Sequence, residues 1–171
     1  MNVIDIIIVI LIVLSFLGGL VQGAVKSFFS LIALIIAIPV AGVFYPYLAN
    51  LFSFMPGTDW ENFSAFFIIL VVASIILHII FYFPSAFINK VWVLKGPLFR
   101  LLGGLFNLIG TFTGLVLFAS IVQAYPVIEW LERVITESGI ITWLLANFNF
   151  VKFLLPDLFD SPGMTVFLRY L

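Results

Sequence analysis

Side chains able to donate, accept or carry a proton are scarce in this chain, and their positions are the first thing to weigh. His78, the single histidine, lies inside the charge-free stretch 62–89. An ionisable group in such surroundings is a functional candidate by default, because burying its charge in hydrocarbon is costly. A proton relay through it would need titratable neighbours, and no Asp or Glu falls at its depth. The simpler alternative is a neutral packing histidine bonded locally, with Ser74 as its i−4 neighbour. Two amides and one amine complete the candidate polar cluster: Gln22, Asn107 and Lys26.

Both amides belong to a pattern that occurs twice. Leu17-Gly18-Gly19-Leu20-Val21-Gln22 and Leu102-Gly103-Gly104-Leu105-Phe106-Asn107 each read Leu-Gly-Gly-Leu-apolar-amide. On a helix, Gly103, Asn107, Gly110 and Gly114 lie within about 60° of one another, and Ser15, Gly19, Gln22 and Lys26 form a similar stripe with Gly23 beside it. Small residues in a row let two helix backbones approach, and amides can hydrogen-bond across the contact. The expected packing surface is therefore Gly18, Gly19 and Gly23 against Gly103, Gly104, Gly110 and Gly114. A polar passage lined by the same residues is the competing reading.

Catalytic patterns are missing. No serine sits in a glycine-rich elbow with a matched histidine, and no pair of carboxylates lies inside an apolar run. With no cysteine and one histidine, thiolate sites and histidine metal centres have no ligands. No enzyme activity, cofactor or metal is expected. Seven Lys plus Arg against eight Asp plus Glu provide no basic surface for nucleic acid.

The elements that must hold these residues follow from hydropathy. The chain is 64% hydrophobic and 9% charged, far from the composition of a soluble domain. The stretches 6–25, 27–58, 62–89 and 101–128 lack Asp, Glu, Lys and Arg, and each reaches the ~20 residues that cross a bilayer core. The expectation is one all-α integral membrane domain over 1–171, with spans at about 4–22, 25–45, 63–83 and 99–124. The first two must be joined by a tight turn at Gln22-Gly23-Ala24, since one helix through both would be ~60 Å long. Val21-Gln22-Gly23 loosely fits a signal-cleavage site, but no Lys or Arg precedes the apolar run, which argues for a retained span. Pro39 and Gly42 predict a kink in the second helix. Pro46–Asn62 reads as a loop turning at Pro56-Gly57, and the third helix is expected to stop before Pro84. Ser85–Lys95 then reads as a short amphipathic helix ended by Gly96-Pro97.

Orientation comes from the basic residues. Lys26, Lys90, Lys95 and Arg100 fall on one side and Arg133 on the other, which places both termini outside. Tyr45, Tyr47, Trp60, Tyr125 and Trp130 suit the outer boundary, with Tyr82 and Trp92 at the inner one. From Pro126 the chain becomes an interfacial tail, 126–171. Val127, Ile128, Trp130, Leu131, Val134 and Ile135 share one helical face, Glu129 and Arg133 form an i,i+4 pair, and Gly139 suits the stop. Residues 140–155 read as a second interfacial helix ended by Leu155-Pro156, with loose chain beyond.

Taken in order, several of these segments resemble a known family. Ile4-Asp5 opens the first helix, and a glycine-rich turn with a basic residue follows at Gly18-Gly19-Leu20-Val21-Gln22-Gly23-Ala24-Val25-Lys26. Ser30-Leu31 begins an apolar helix ending in Phe44-Tyr45-Pro46, and Arg100-Leu101-Leu102-Gly103-Gly104-Leu105-Phe106 leads into a glycine-interrupted last span. This resembles the colicin V production protein (CvpA) family of four-helix bacterial inner-membrane proteins, over about residues 2–125. The tail looks like that of some members. The chain departs from the family at three places: Gln22-Gly23 stands for the usual Arg-Gly, Phe99 for an Asp before the arginine of the last helix, and Gly110-Thr111 for a further Arg-Gly. Any role of those charges is not carried over. The resemblance implies a non-enzymatic protein of the inner membrane linked to peptide-toxin production or export and to envelope physiology. Its partners would be the lipid bilayer and either other membrane proteins or further copies of itself, not nucleic acid. Two classes stay open: an accessory or scaffold protein, and a small channel or transporter with a polar path near Gln22, Lys26, His78 and Asn107.

Overall fold

The computed structural model describes residues 3–52, 58–91, 96–125, 129–148 and Leu154. Each long apolar run forms a helix, because a chain in hydrocarbon must satisfy its backbone groups within itself. The helices are α1 (Val3–Gln22), α2 (Ala24–Ala49), α3 (Thr58–Val91) and α4 (Pro97–Ala124), followed by the short α5 (Glu129–Thr136) and α6 (Gly139–Asn147). The first four are long and apolar enough to cross a membrane, and with the two short helices behind them they make an all-α integral membrane fold.

The ends of α2 and α3 differ from the sequence reading. The expected loop from Pro46 is still helix: α2 runs on to Ala49, the Asn50 N–H bonds back to the Pro46 carbonyl, and a 3-10 turn continues over Asn50–Phe52. The third helix, expected over 63–83, instead starts at Thr58 and passes through Pro84 to Val91. Asp59 and Glu61 in its first turn complement the helix dipole. Near Pro84, the Ser85 hydroxyl donates to the Tyr82 carbonyl at 2.8 Å, supplying a bond in the turn the proline disturbs. The separate amphipathic helix expected at Ser85–Lys95 is thus the end of α3 as far as Val91. At ~1.5 Å per residue α3 is about 51 Å long, so it tilts or projects beyond the ~30 Å hydrocarbon core. The expected turn at Pro56-Gly57, the anchor Trp92 and the helix start at Pro126 lie outside the described residues, as does the side chain of Glu129 in the expected pair with Arg133.

The spans pack as a row, α1–α4–α2–α3, with α1 against α4, α4 against α2, and α2 against α3. Up α2 runs a fully buried small-residue row, Ala33, Ala37 and Ala41, at four-residue spacing, which permits close helix approach. The apolar core gathers toward one end, where Ile8 of α1, Val116, Leu117 and Ile121 of α4 and Phe66 of α3 meet Ile135, Ile141 and Leu144 of the tail. α5 and α6 therefore dock on that end of the row and leave Trp130 and Trp143 exposed. Gly139, expected to stop a helix, is instead the first residue of α6, with the Ser138 side chain as N-cap accepting from the Ile141 N–H.

Candidate functional site

The α1–α2 connection is a single residue, Gly23, at φ +81° and ψ 166°. Only glycine adopts this backbone freely, so the sequence can reverse direction there without a loop. The Gly23 N–H still bonds to the Gly19 carbonyl at 2.9 Å. Into this elbow fits α4. A Cβ on Gly103 would overlap the Gly19 carbonyl oxygen and stand 2.6 Å from the Gly23 carbonyl carbon, and a Cβ on Gly19 would overlap the Gly103 carbonyl oxygen. Gly104 lies beneath the Phe16 ring, whose Cε2 would be 2.5 Å from an added Cβ. A Cβ on Gly18 would have ordinary room, 3.6 Å from the Asn107 amide nitrogen. Gly110 would meet only Leu31 Cδ1, at 3.8 Å, and Gly114 nothing within 4 Å. These last two lie outside the close contact, contrary to the expected seven-glycine surface, because they sit about 10 and 16 Å farther along α4 than Gly103 and crossing helices touch closely only near their crossing point.

One turn from the glycine crossing, the seam is polar but closed. Asn107 donates from its amide to the Ser15 carbonyl at 2.7 Å, and the Ser15 hydroxyl donates to the Asn107 carbonyl at 3.2 Å. Ser15 and Thr111 also share a hydroxyl–hydroxyl bond. Such interhelical bonds contribute about 0.6 kcal/mol on average in a membrane, so they fix register more than they supply affinity.

The other three polar candidates gather elsewhere. Gln22, Lys26 and His78, with Ser30, Tyr82 and Ser85, line a cavity of about 220 Å³ where the α1–α2 elbow faces α3, and Asn107 is not part of it. His78 Nδ1 lies 2.8 Å from the Ser74 carbonyl, which can only accept, so this nitrogen carries a proton. Nε2 is 3.0 Å from the Ser30 hydroxyl, which donates to it when the ring is neutral. His78 thereby ties α3 to α2, assisted by the nearby Phe29–Phe81 ring pair.

The structure gives specific partners to further polar residues, some of which the sequence reading names only as motif or boundary residues. Asp5 is buried at the start of α1, and the Ser138 hydroxyl donates to its carboxylate at 2.6 Å. Ser138 thus caps α6 and fastens the tail to α1 at once. A serine followed by an apolar run is a readable N-cap signal; its partner far back in the chain is not. At the same end Tyr125 donates to the Tyr45 hydroxyl at 3.1 Å, and burial first, then that hydrogen bond, pushes the Tyr125 phenol well above its usual range. It stays a donor. The Gln123 amide is also buried, with no hydrogen-bond partner among the described residues. Among those residues no group of His, Cys, Asp or Glu could hold a metal ion.

No curated protein and no solved structure matches the chain. One family model does, described as colicin V production protein, and it aligns with residues 4–149. The match begins beside Asp5 and takes in the glycine elbow, the α1–α4 seam, the His78 cavity and both docked tail helices, a longer reach than the resemblance over 2–125. The chain therefore belongs to the colicin V production protein family.

Proposed function

We propose that the protein is a non-enzymatic accessory component of the bacterial inner membrane, serving the production or export of a peptide toxin of the colicin V type and the upkeep of the envelope. The observation that carries this reading, beside family membership, is the division of the polar groups. Asn107 is spent on Ser15 inside a seam with no room for a methyl group, while Gln22, Lys26 and His78 stand in a separate cavity at one end of the spans. A conducting path would present polar groups at successive depths across ~30 Å. The outer part of α1 instead offers Ile6, Ile7, Val9, Ile10 and Leu11, all exposed and aliphatic. The docked tail favours a scaffold as well, since α5 and α6 present Trp130 and Trp143 at one membrane face. With the basic residues inside, that face and both termini are extracytoplasmic.

Purified protein reconstituted in liposomes tests the reading. The expected proton and ion flux equals that of empty vesicles. A flux abolished by His78→Ala or Asn107→Leu overturns the accessory role in favour of a channel or transporter.

A further inference from the structure

The polar cavity at the elbow does not stand alone. It shares His78 and Tyr82 with an open groove of about 740 Å³ that runs along the outer face of α3. Apart from Ser74 and those two residues, the groove is hydrocarbon: Leu34 of α2 with Leu70, Val71, Ile75, Ile79 and Phe83 of α3. Val71, Ile75, Ile79 and Phe83 recur at four-residue spacing and are each at least half exposed, so they form one continuous strip. From Leu70 to Tyr82 the strip is about 18 Å long at helical rise, close to the ~15 Å depth of a single leaflet. At its polar end stand the Lys26 amine, the Gln22 amide and the Ser30 and Ser85 hydroxyls. The whole site thus has the shape and polarity of an amphiphile: a small polar chamber with one cation, opening onto a leaflet-deep apolar track.

We infer that the elbow cavity and the α3 groove together bind one anionic phospholipid, its phosphate against Lys26 and the Gln22 amide and an acyl chain along Val71, Ile75 and Ile79. The cation selects charge, since a lysine near a membrane surface favours an acidic lipid by about fivefold. The Gln22 amide supplies uncharged donors that phosphate oxygens accept from, while the Ser30 and Ser85 hydroxyls are already committed to His78 and to the Tyr82 carbonyl. His78 sits at the junction of head and tail, already bonded to Ser30 and Ser74, and marks the floor of the polar chamber. Depth matching sets the occupant apart from a soluble phosphate compound, which would leave the groove unused, and from a second copy of the chain, which would leave the chamber unused.

Native mass spectrometry of the full chain, released from detergent with equimolar dioleoyl phosphatidylglycerol and dioleoyl phosphatidylcholine, tests this. The expected result is about fivefold preferential retention of phosphatidylglycerol, unchanged by millimolar inorganic phosphate. Lys26→Gln is expected to erase the preference and Lys26→Arg to keep it, while Ile75→Trp, which fills the groove, lowers retention of both lipids. Equal retention of the two lipids by the unaltered protein, or a preference that survives Lys26→Gln, overturns the assignment. Displacement by inorganic phosphate marks a soluble-anion site, and oxidative crosslinking of Ile75→Cys between copies marks a protein interface; either result also overturns it.

Discussion

Gly103→Ala adds one methyl group, and the structure fixes what that methyl meets. Its carbon would overlap the Gly19 carbonyl oxygen and stand 2.6 Å from the Gly23 carbonyl carbon and 3.0 Å from the Ala24 nitrogen. All three are backbone atoms, so no side chain can rotate away. Carbon atoms pack at about 3.5–4 Å, so α4 must withdraw from the elbow by roughly 1 Å. That shift would stretch the 2.7 Å Asn107–Ser15 bond beyond hydrogen-bonding range. Overpacking costs about 1–3 kcal/mol and the lost interhelical bond about 0.6 kcal/mol, giving a loss of about 2–4 kcal/mol. Gly114→Ala is the matched control, because its methyl meets nothing within 4 Å and the gain in helix propensity is up to about 1 kcal/mol. The assay is unfolding of both variants in mixed micelles, followed by far-ultraviolet circular dichroism. Equal midpoints for Gly103→Ala and the unaltered chain, or an equal loss in Gly114→Ala, would refute the seam as drawn.

The Asp5–Ser138 fastening predicts that Asp5→Ala and Ser138→Ala each free α5 and α6 from α1, at about 1.5–3 kcal/mol for a bond to a charged group; hydrogen exchange over residues 129–148 should rise in both, and unchanged protection would count against the tether. His78→Leu should cost only about 0.5–1.5 kcal/mol and leave exchange in the tail as it was, since its bonds among the described residues run to Ser30 and Ser74; a loss above 3 kcal/mol would point to a deeper role. Because the chain has no cysteine, Asn50→Cys and Lys26→Cys report sidedness: an impermeant thiol reagent on intact spheroplasts should label the first and spare the second, and the reverse pattern would invert the orientation.

The spans were legible because hydrocarbon imposes one requirement on a long stretch, and apolar composition satisfies it residue by residue. Helix ends were less so. Pro46 and Pro84 read as stops, yet the helices continue, since one missing N–H is tolerable where the surrounding turns stay bonded and no water competes for the backbone. The repeated glycine pattern located the α1–α4 seam, but a helical projection shows which side a residue faces and not how far it lies from the crossing. That is why Gly19 and Gly103 belong to the contact while Gly110 and Gly114 do not. The polar cluster divided for a similar reason: Asn107 shares a depth with the others but points from a helix on the far side of the elbow. Ala33, Ala37 and Ala41 form a small-residue row readable in the sequence from its four-residue spacing. Asp5 and Ser138 meet across most of the chain, and nothing local in either segment signals the other.

The order of helices in the row has a consequence for biosynthesis. α1 is made first, but its main neighbour is α4, the last span. Between Gly19 and Gly103 the ribosome needs roughly 4–17 s at ~5–20 residues per second. During that interval the glycine elbow and the Ser15 hydroxyl face lipid or the insertion machinery, while α2 and α3 can already pair. Completion of the seam is then a late event gated by the arrival of α4, and a chain truncated before Pro97 would leave the membrane holding an α2–α3 hairpin with α1 unclaimed at its side.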